Sequence, residues 1–501
     1  MQALVLAFFV WGIVTKSIPV LVQELEAKHG PVFKFWFGGD IWVVLGDPDV
    51  ARRLSLRFTL RPGLDYLKVL PHKELVLNNL GLAATSDMAL WRVARKSYDS
   101  SLLIPASLAQ YTPTMDRCVL RLANRLKQFA ASGETVDMWR ELVTMTLEVV
   151  GECAYGIDFH SVVDGRECSE EQQKLGKRLV EACRIVFQQG AIIEASRYVP
   201  AQLLFPVLGP LVRRVAAVFP DARYLKATLF RKLIHDVSEG LLADWKCNHL
   251  MGNANAGADS DRTTHDNPPS SDEATNSQSP SPQLSVADRS FLNSMMVGRD
   301  QPQPAAAKEG EKDGGKGGGK GAEEGRLAGK AAAGSEAGKG SETRGPLDDA
   351  EVVAQALTFI LAGYETTANT LAFVIYLIAA NPGAETRLLE EVDSFGRSKA
   401  ITSNDLDKFP YVDAVVKELL RLHSPAGFTT RLSTEEVQAL KKTIPTWGYK
   451  FAQQEAKISL VRLYRNFTFA LAPGMPRTPK VKTAMTTGPD GGVPVVVHGR
   501  V

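Results

Sequence analysis

The chain has 501 residues, of which 45% are hydrophobic and 23% charged, and its formal net charge is +2. This near balance of charges gives no electrostatic reason to expect a nucleic-acid partner. The five cysteines are odd in number and lack C-x-x-C spacing, which argues against a disulfide framework or a zinc site and fits a reducing compartment.

An unbroken apolar run occupies residues 3–14. It is shorter than the ~20 residues that a helix needs to cross a bilayer. It also lacks the basic region and the small-residue cleavage site of a secretory signal. A shortened membrane anchor, an interfacial segment and a hydrophobic first helix are all open, and we favour a shortened anchor over residues 1–16.

Local patterns then alternate between helix and strand. Apolar residues at helical spacing predict a helix that ends at Gly30. Two segments rich in apolar residues, 32–37 and 41–45, flank a Gly-Gly-Asp turn and predict a β-hairpin. A helix begins at Pro48, and residues 85–250 predict a long series of amphipathic helices.

Two polar tracts interrupt this pattern. Residues 249–283 are rich in Asn, Asp, Ser, Thr and Pro, and residues 302–345 consist almost entirely of Gly, Ala, Lys and Glu. Neither can bury enough apolar surface to offset chain entropy, so both predict disorder. A short apolar face over residues 285–300 predicts a helix between them. We therefore interpret residues 249–345 as a largely disordered insertion, with a domain boundary as the alternative.

A strong helix begins the C-terminal part of the chain, residues 346–501. Asp348 is suited to the N-cap and Glu351 completes a capping box, and the helix is expected to run through Ile378. The later elements are helices over residues 384–394, 411–423 and 449–466, followed by strands and turns.

This helix carries a conspicuous glycine and an acid–alcohol pair in the segment TFILAGYETTANT, residues 358–370. A glycine inside a helix costs ~1 kcal/mol relative to alanine. The Ala362-Gly363 step therefore indicates either a flat ligand against the backbone or close helix packing. Glu365 and Thr366 beside it are suited to proton delivery. The alternative is that Thr366 bonds back within the helix and Glu365 is solvated.

Two further motifs pair charged or aromatic residues one helical turn apart. Glu418 and Arg421 can form an ion pair that is ordinary on any exposed helix. The indole N–H of Trp91 and the guanidinium of Arg95 can reach the same anionic group. A stacked surface contact is the alternative for the second motif.

In this order the segments resemble the cytochrome P-450 family of haem-thiolate monooxygenases. TFILAGYETTANT resembles the family's oxygen-activation helix, and YVDAVVKELLRLHSPAGFTTR (residues 411–431) resembles its ion-pair helix and the strand beyond it. The resemblance implies a mainly α (α+β) fold, a helical body with a small β-sheet region. Residues 17–248 and 346–501 would then be the N-terminal and C-terminal parts of one domain.

The resemblance also implies a role for each motif residue. These roles are proton delivery by Glu365 and Thr366, an oxygen-side groove at Ala362 and Gly363, propionate contacts from Trp91, Arg95 and Arg431, and a buried structural ion pair between Glu418 and Arg421. The implied cofactor is haem b. The implied activity is hydroxylation of an apolar small molecule with O2 and electrons from NADPH through a reductase. An endoplasmic reticulum membrane is the implied location, with a plastid as the alternative.

One part of the family pattern is missing. The motif F-x-x-G-x-R-x-C-x-G should precede the last helix, but no cysteine follows Cys247. Matching Gly448 to the last glycine of the motif places Thr446 at the position of the metal ligand. A hydroxyl does not replace a thiolate, which pushes electron density towards the iron. The sequence therefore predicts no metal ligand.

The region before that motif is missing too, including an arginine that would complete the ion pair, so residues 432–447 mark a deletion. We expect poor haem binding and impaired activity from the chain as written. The alternatives are an inactive family member with a binding or regulatory role, and a skipped exon or an erroneous gene model.

Overall fold

The computed structural model describes residues 18–37, 40–57, 80–83, 85–102, 104–162, 170–188, 196–259, 290–300, 344–396, 399–427, 429–431, 450–483 and 486–500. Within these ranges the protein is mostly helical and carries small antiparallel sheets. The mainly α (α+β) fold, a helical body with a small β-sheet region, is confirmed.

The α-helices are numbered in chain order. They are α1 Ile18–His29, α2 Pro48–Arg57, α3 Met88–Leu102, α4 Pro105–Ala109, α5 Thr112–Ser132, α6 Met138–Val150, α7 Glu170–Gln188, α8 Tyr198–Leu204, α9 Gly209–Val218, α10 Ala222–Asp259, α11 Phe291–Asp300, α12 Asp349–Ala379, α13 Pro382–Ser394, α14 Pro410–Leu422 and α15 Lys450–Asn466. A π-helical turn, Gly151–Tyr155, follows α6, and 3-10 turns lie at Pro206–Leu208 and Ser403–Lys408.

The strands form antiparallel pairs at separate places. They are β1 Val32–Phe37, β2 Asp40–Leu45, β3 Thr135–Asp137, β4 Phe467–Leu471, β5 Val481–Thr483, β6 Thr487–Pro489 and β7 Pro494–Gly499. β1 pairs with β2 in the register Phe35↔Trp42, which confirms the predicted hairpin. β7 lies between β3 and β4, and β5 pairs with β6. β7 thus ties the C-terminus of the chain to the segment that begins α6.

The predicted helix boundaries depend on local signals that the structure contains. α1 ends before Gly30, which has φ +88° and donates its N–H to the Glu26 carbonyl at 2.8 Å. At the start of α12 the Glu351 N–H donates to Asp348 Oδ1 at 2.8 Å, and the Asp348 N–H donates to Glu351 Oε2 at 2.9 Å. The capping box is therefore confirmed.

Some predictions fall at the edge of the described residues or beyond it. α10 extends to Asp259, so it enters the tract from residue 249 that we expected to be disordered. α11 begins at Phe291, and residues 285–289 of its predicted helix lie outside the described residues. Residues 1–16 and 302–343 lie outside them too. Among the helices that the structure describes, none has an apolar stretch long enough to cross a bilayer.

The long helix α12 passes through the middle of the hydrophobic core. Its C-terminal half is buried on nearly every side, consistent with a run of apolar residues too broad for one amphipathic face. Thr146 on α6 donates its hydroxyl to the Tyr364 carbonyl of α12 at 2.8 Å. Helices α6, α10, α14 and α15 also pack on α12. The motif residues of α12 are therefore held by a rigid scaffold.

A buried group of ion pairs joins α5 to α6 and the π-helical turn. Arg121 lies 3.2 Å from Glu148 and 3.0 Å from Asp158, and it also pairs with Glu152. The Glu148 and Glu152 side chains are only 0% and 3% exposed. Removing one charge of such a buried pair should destabilise the fold, because a buried charge without its partner is costly.

Candidate functional site

The glycine of the α12 motif lies where another helix approaches. A Cβ atom on Gly363 would be 2.6 Å from Val150 Cγ2 of α6, closer than real contacts allow. Close helix packing is thus the explanation that the structure supplies for this glycine. Ala362, one residue earlier, is exposed. The assignment of both residues to an oxygen-side groove stays a prediction.

Thr366 bonds back to its own helix. Its hydroxyl donates to the Ala362 carbonyl at 2.6 Å, which is the local alternative considered for this residue. The hydroxyl proton is engaged in this bond, and the oxygen keeps lone pairs that can accept a further hydrogen bond.

Glu365 is half-buried and is held in a chain of hydrogen bonds. The Thr486 hydroxyl donates to Glu365 Oε1 at 2.6 Å, and Asn369 Nδ2 donates to the Thr486 oxygen at 3.3 Å. Asn369 Oδ1 in turn accepts from Trp139 Nε1 at 2.7 Å. Burial raises the pKa of Glu365 to about 6, against the opposing effect of these hydrogen bonds. A carboxyl group with that pKa can hold or release a proton near neutral pH.

Sequence reasoning missed the partners of Glu365. Thr486 precedes β6, Asn369 follows Glu365 by one helical turn, and Trp139 lies in the first turn of α6. The one available signal was Gly488, which appeared only as part of a turn-rich segment. A Cβ there would be 2.8 Å from Asn369 Oδ1, so the β5–β6 hairpin can approach α12 because residue 488 is glycine.

Trp91 and Arg95 lie on α3, which is fixed against α12. The Tyr98 hydroxyl of α3 donates to the Gln355 carbonyl of α12 at 2.8 Å. Arg95 makes an ion pair with Asp99, one turn further along α3, at 2.8 Å. Trp91 is half-buried. The sequence analysis did not anticipate Asp99 as a partner, and the propionate roles of Trp91 and Arg95 stay predictions.

Glu418 and Arg421 form the expected pair but not in the expected environment. Arg421 donates to both carboxylate oxygens at 2.8 and 2.7 Å. The two side chains are 56% and 66% exposed, so the expectation of a buried pair is wrong for this chain. A pair on the outer side of a helix becomes buried only where another segment crosses it. None of the described segments covers this pair.

Two other predicted residues lie beyond α14. Arg431 is half-buried, and its Nη1 donates to Thr429 Oγ1 and to the Thr430 carbonyl, each at 2.8 Å. Burial lowers the pKa of Arg431, and its propionate role stays a prediction. Thr446 lies outside the described residues. His423 stacks on Phe373 of α12 with ring centroids 4.8 Å apart, which fits a packing role.

The cysteine side chains that the structure describes do not supply a thiolate donor for haem. Cys118, Cys153 and Cys183 are buried, and burial raises the pKa of each thiol, for Cys183 to about 12. A metal ligand must be the thiolate, so these residues behave as core packing groups. Cys247 is exposed on α10, and Cys168 lies outside the described residues. The donors that the structure describes therefore do not fit a haem-thiolate centre.

Comparison with known proteins adds a family match. The cytochrome P450 family model matches residues 4–234 and 332–446. Thromboxane-A synthase from Macaca fascicularis is 25% identical over 432 residues, which cover 84% of this chain and 67% of the synthase. Probable cytochrome P450 4s3 from Drosophila melanogaster is 23% identical over 431 residues, covering 85% of this chain and 66% of that protein. Cyclooctat-9-en-7-ol 5-monooxygenase from Streptomyces melanosporofaciens is 40% identical over 110 residues, 22% of this chain and 23% of the enzyme.

Proposed function

Because this chain belongs to the cytochrome P450 family, we propose that it has the body of a haem-thiolate monooxygenase without the ligand that this chemistry requires. By family resemblance it is an oxidoreductase of the monooxygenase type, and haem is the cofactor that the family implies. The proposal concerns the activity of the chain as written, which we expect to be impaired.

A single observation carries this proposal. No cysteine follows Cys247, although α15 and β4 are present beyond the position where the family has its ligand loop. The exposure of the Glu418–Arg421 pair supports the same interpretation, because the resemblance implies a buried pair. The described cysteines are core or surface residues and offer no substitute ligand.

A form of the protein that carries the cysteine loop would hydroxylate an apolar organic molecule with O2. Its electrons would come from NADPH through a reductase, and its location would be the endoplasmic reticulum membrane, with a plastid as the alternative. In such a form Glu365 would hold the proton to be delivered, since burial gives it a pKa of about 6 and Thr486 fixes its orientation. Thr366 lies in the next position of the same helix and would pass that proton on.

Haem titration of the purified full chain tests the proposal. Haem should bind weakly and below one equivalent, because the described residues offer no thiolate. A haem-thiolate enzyme prepared in parallel is the positive control. Tight binding of one equivalent of haem to this chain would overturn the proposal.

The origin of the missing segment is tested on the message. Reverse transcription and sequencing across codons 425–455 give one of two results. A longer product that encodes the cysteine motif would mean an ordinary monooxygenase with a skipped exon or an erroneous gene model here. An unchanged junction would mean that the cell makes the form without the ligand, and an inactive family member with a binding or regulatory role would be favoured.

A further inference from the structure

A second buried carboxyl group lies on α15, apart from Glu365 of the α12 motif. The Glu455 side chain is 0% exposed, and neither of its oxygens makes a hydrogen bond with a group that the structure describes. Buried polar atoms in native proteins nearly always have a partner, which is either a protein group or an ordered water. The surroundings of Glu455 therefore call for an explanation.

Two cations that follow Glu455 on α15 are engaged by other acids. Lys457 pairs with Asp413 of α14 at 2.9 Å, and Arg462 pairs with Asp116 of α5 at 2.5 Å. Neither cation is therefore available to balance a negative charge on Glu455.

The other groups around Glu455 favour its neutral form. Cys153 of the π-helical turn is a titratable neighbour, and the pKa of its thiol is raised by burial and then by Glu455. Burial also raises the pKa of Glu455, and the Thr367 hydroxyl opposes that rise. An ionised Glu455 would be a buried charge without a cation among the described residues, which is costly. The group should therefore hold its proton.

The Thr367 hydroxyl of α12 lies beside this carboxyl group, but it makes no hydrogen bond with a described group either. The other threonines of α12 each donate to the carbonyl four residues earlier, at 2.6–2.8 Å, namely Thr358, Thr366 and Thr370. This back-bonding is the ordinary habit of a threonine in a helix. Because Thr367 departs from it, its hydroxyl is left for another partner.

A third polar group of the same kind is the hydroxyl of Ser459. Ser459 lies one turn after Glu455, so the two side chains share a face of α15. It is 0% exposed, and its oxygen has no hydrogen-bond partner among the described groups. A buried water typically makes about three hydrogen bonds to polar groups that lack other partners. One carboxyl and two hydroxyls match that requirement.

We propose that Glu455, Thr367 and Ser459 bind an internal water molecule, with Glu455 as a neutral carboxyl group. The carboxyl O–H donates to the water oxygen, and the water donates to the two hydroxyl oxygens. The water thus joins α15 to α12 at the residue after Thr366. This site does not depend on haem, so it goes beyond the proposed function.

Infrared spectroscopy of the full chain at pH 7.5 tests the protonation of Glu455. Glu365 is largely ionised at that pH, since its pKa is about 6, so the carbonyl band of a buried carboxylic acid should come from Glu455. Glu455→Gln should abolish this band. It should also lower the proton release on urea unfolding by about one proton per chain, because the unfolded carboxyl group ionises.

Glu390→Gln, at an exposed position of α13, is the matched control and should change neither the band nor the proton release. If Glu455→Gln also left both unchanged, Glu455 would be ionised and bound to a cation. That result would overturn the proposal.

Nuclear magnetic resonance of the threonine methyl groups tests the water. Magnetisation should pass from water to the Thr367 methyl group. Thr146 is the reference, because its buried hydroxyl already donates to the Tyr364 carbonyl at 2.8 Å, and its methyl group should receive none. A carboxyl band without transfer to Thr367 would mean that Glu455 bonds directly to a protein group, and it would overturn the water site.

Thr367→Val supplies a test that does not require Glu455→Gln to fold. The substitution keeps the shape of the side chain and removes the hydroxyl, so the water loses one partner. The carboxyl band of Glu455 should persist at a shifted wavenumber, and an unshifted band would contradict the proposal. Circular dichroism checks that each variant folds. These readouts do not involve haem, so their failure and that of the haem titration are distinguishable.

Discussion

The Thr486 hydroxyl donates a hydrogen bond to the Glu365 carboxylate across 2.6 Å, although the two residues are 121 positions apart in the chain. The contact joins the middle of α12 to the residue that precedes β6. The surroundings of the Glu365 carboxylate are therefore formed by the β5–β6 hairpin as well as by α12. Its protonation is a property of the assembled fold.

Glu365 should make the stability of the protein depend on pH. Burial raises its pKa from 4.5 to about 6, so the folded state holds the proton more tightly than the unfolded state. This stabilisation is complete below pH 4.5 and is lost as pH rises through 6. The loss amounts to about 2 kcal/mol, from ~1.4 kcal/mol per pKa unit.

Glu365→Gln should therefore remove that part of the pH dependence. Urea unfolding at pH 4.5 and pH 7.5 measures the change. Glu390→Gln, at an exposed position of α13, is the matched control and should leave the pH dependence as it is. If the unfolding free energies of Glu365→Gln and the unaltered protein depended on pH in the same way, the raised pKa of Glu365 would be contradicted.

Gly363→Ala should destabilise the protein despite the better helix propensity of alanine. The new methyl group would lie 2.6 Å from Val150 Cγ2, and overpacking of a core costs ~1–3 kcal/mol. Val150→Ala in the same chain should recover most of the loss. Gly240→Ala on α10 is the control, because nothing lies within 4 Å of its Cβ position, and it should stabilise. A neutral effect of Gly363→Ala would show that α6 and α12 are not closely packed there.

Two arginines should respond differently to the same substitution. Arg421→Gln removes one half of an exposed pair, and the denaturation midpoint should not change measurably because exposed pairs contribute little. Arg121→Gln removes the partner that the buried Glu148 and Glu152 share, although Arg117 still pairs with Glu152, and should cost ~3–5 kcal/mol. Chemical denaturation of both variants measures how far each substitution lowers the free energy of unfolding. A large effect of Arg421→Gln would mean that the pair is covered in solution.

Thiol labelling should distinguish the cysteines. Cys247 is exposed and should react with a maleimide in the native protein. Cys118, Cys153 and Cys183 should react only after unfolding, because burial both shields these thiols and raises their pKa. Peptide mapping by mass spectrometry after brief labelling shows which cysteines react first. Rapid native labelling of Cys153 would contradict its place in the core.

The sequence predicted those features that depend on neighbouring residues. The stop at Gly30, the capping box of Asp348 and Glu351, and the β1–β2 hairpin are local, and the structure contains each of them. A periodic pattern of apolar residues was enough to find the helices of the body. Composition misplaced the end of α10, because that helix continues through polar residues to Asp259.

Features that depend on distant segments could not be predicted in this way. No local pattern connects Glu365 with Thr486, and the exposure of Glu418 depends on whether another segment crosses α14. The two explanations for Gly363 were indistinguishable in sequence, since the choice between them rests on Val150 of a different helix. Resemblance supplied the roles of the motif residues, but not their surroundings.

The most direct test is the absorption spectrum of the haem-reconstituted full chain after reduction and addition of carbon monoxide. Thiolate ligation gives the ferrous carbonyl a strongly red-shifted Soret band, which a haem-thiolate enzyme should show in the same experiment. Because no cysteine follows Cys247, the chain should lack that band at every haem concentration. A red-shifted band in proportion to bound haem would contradict the absence of a thiolate ligand.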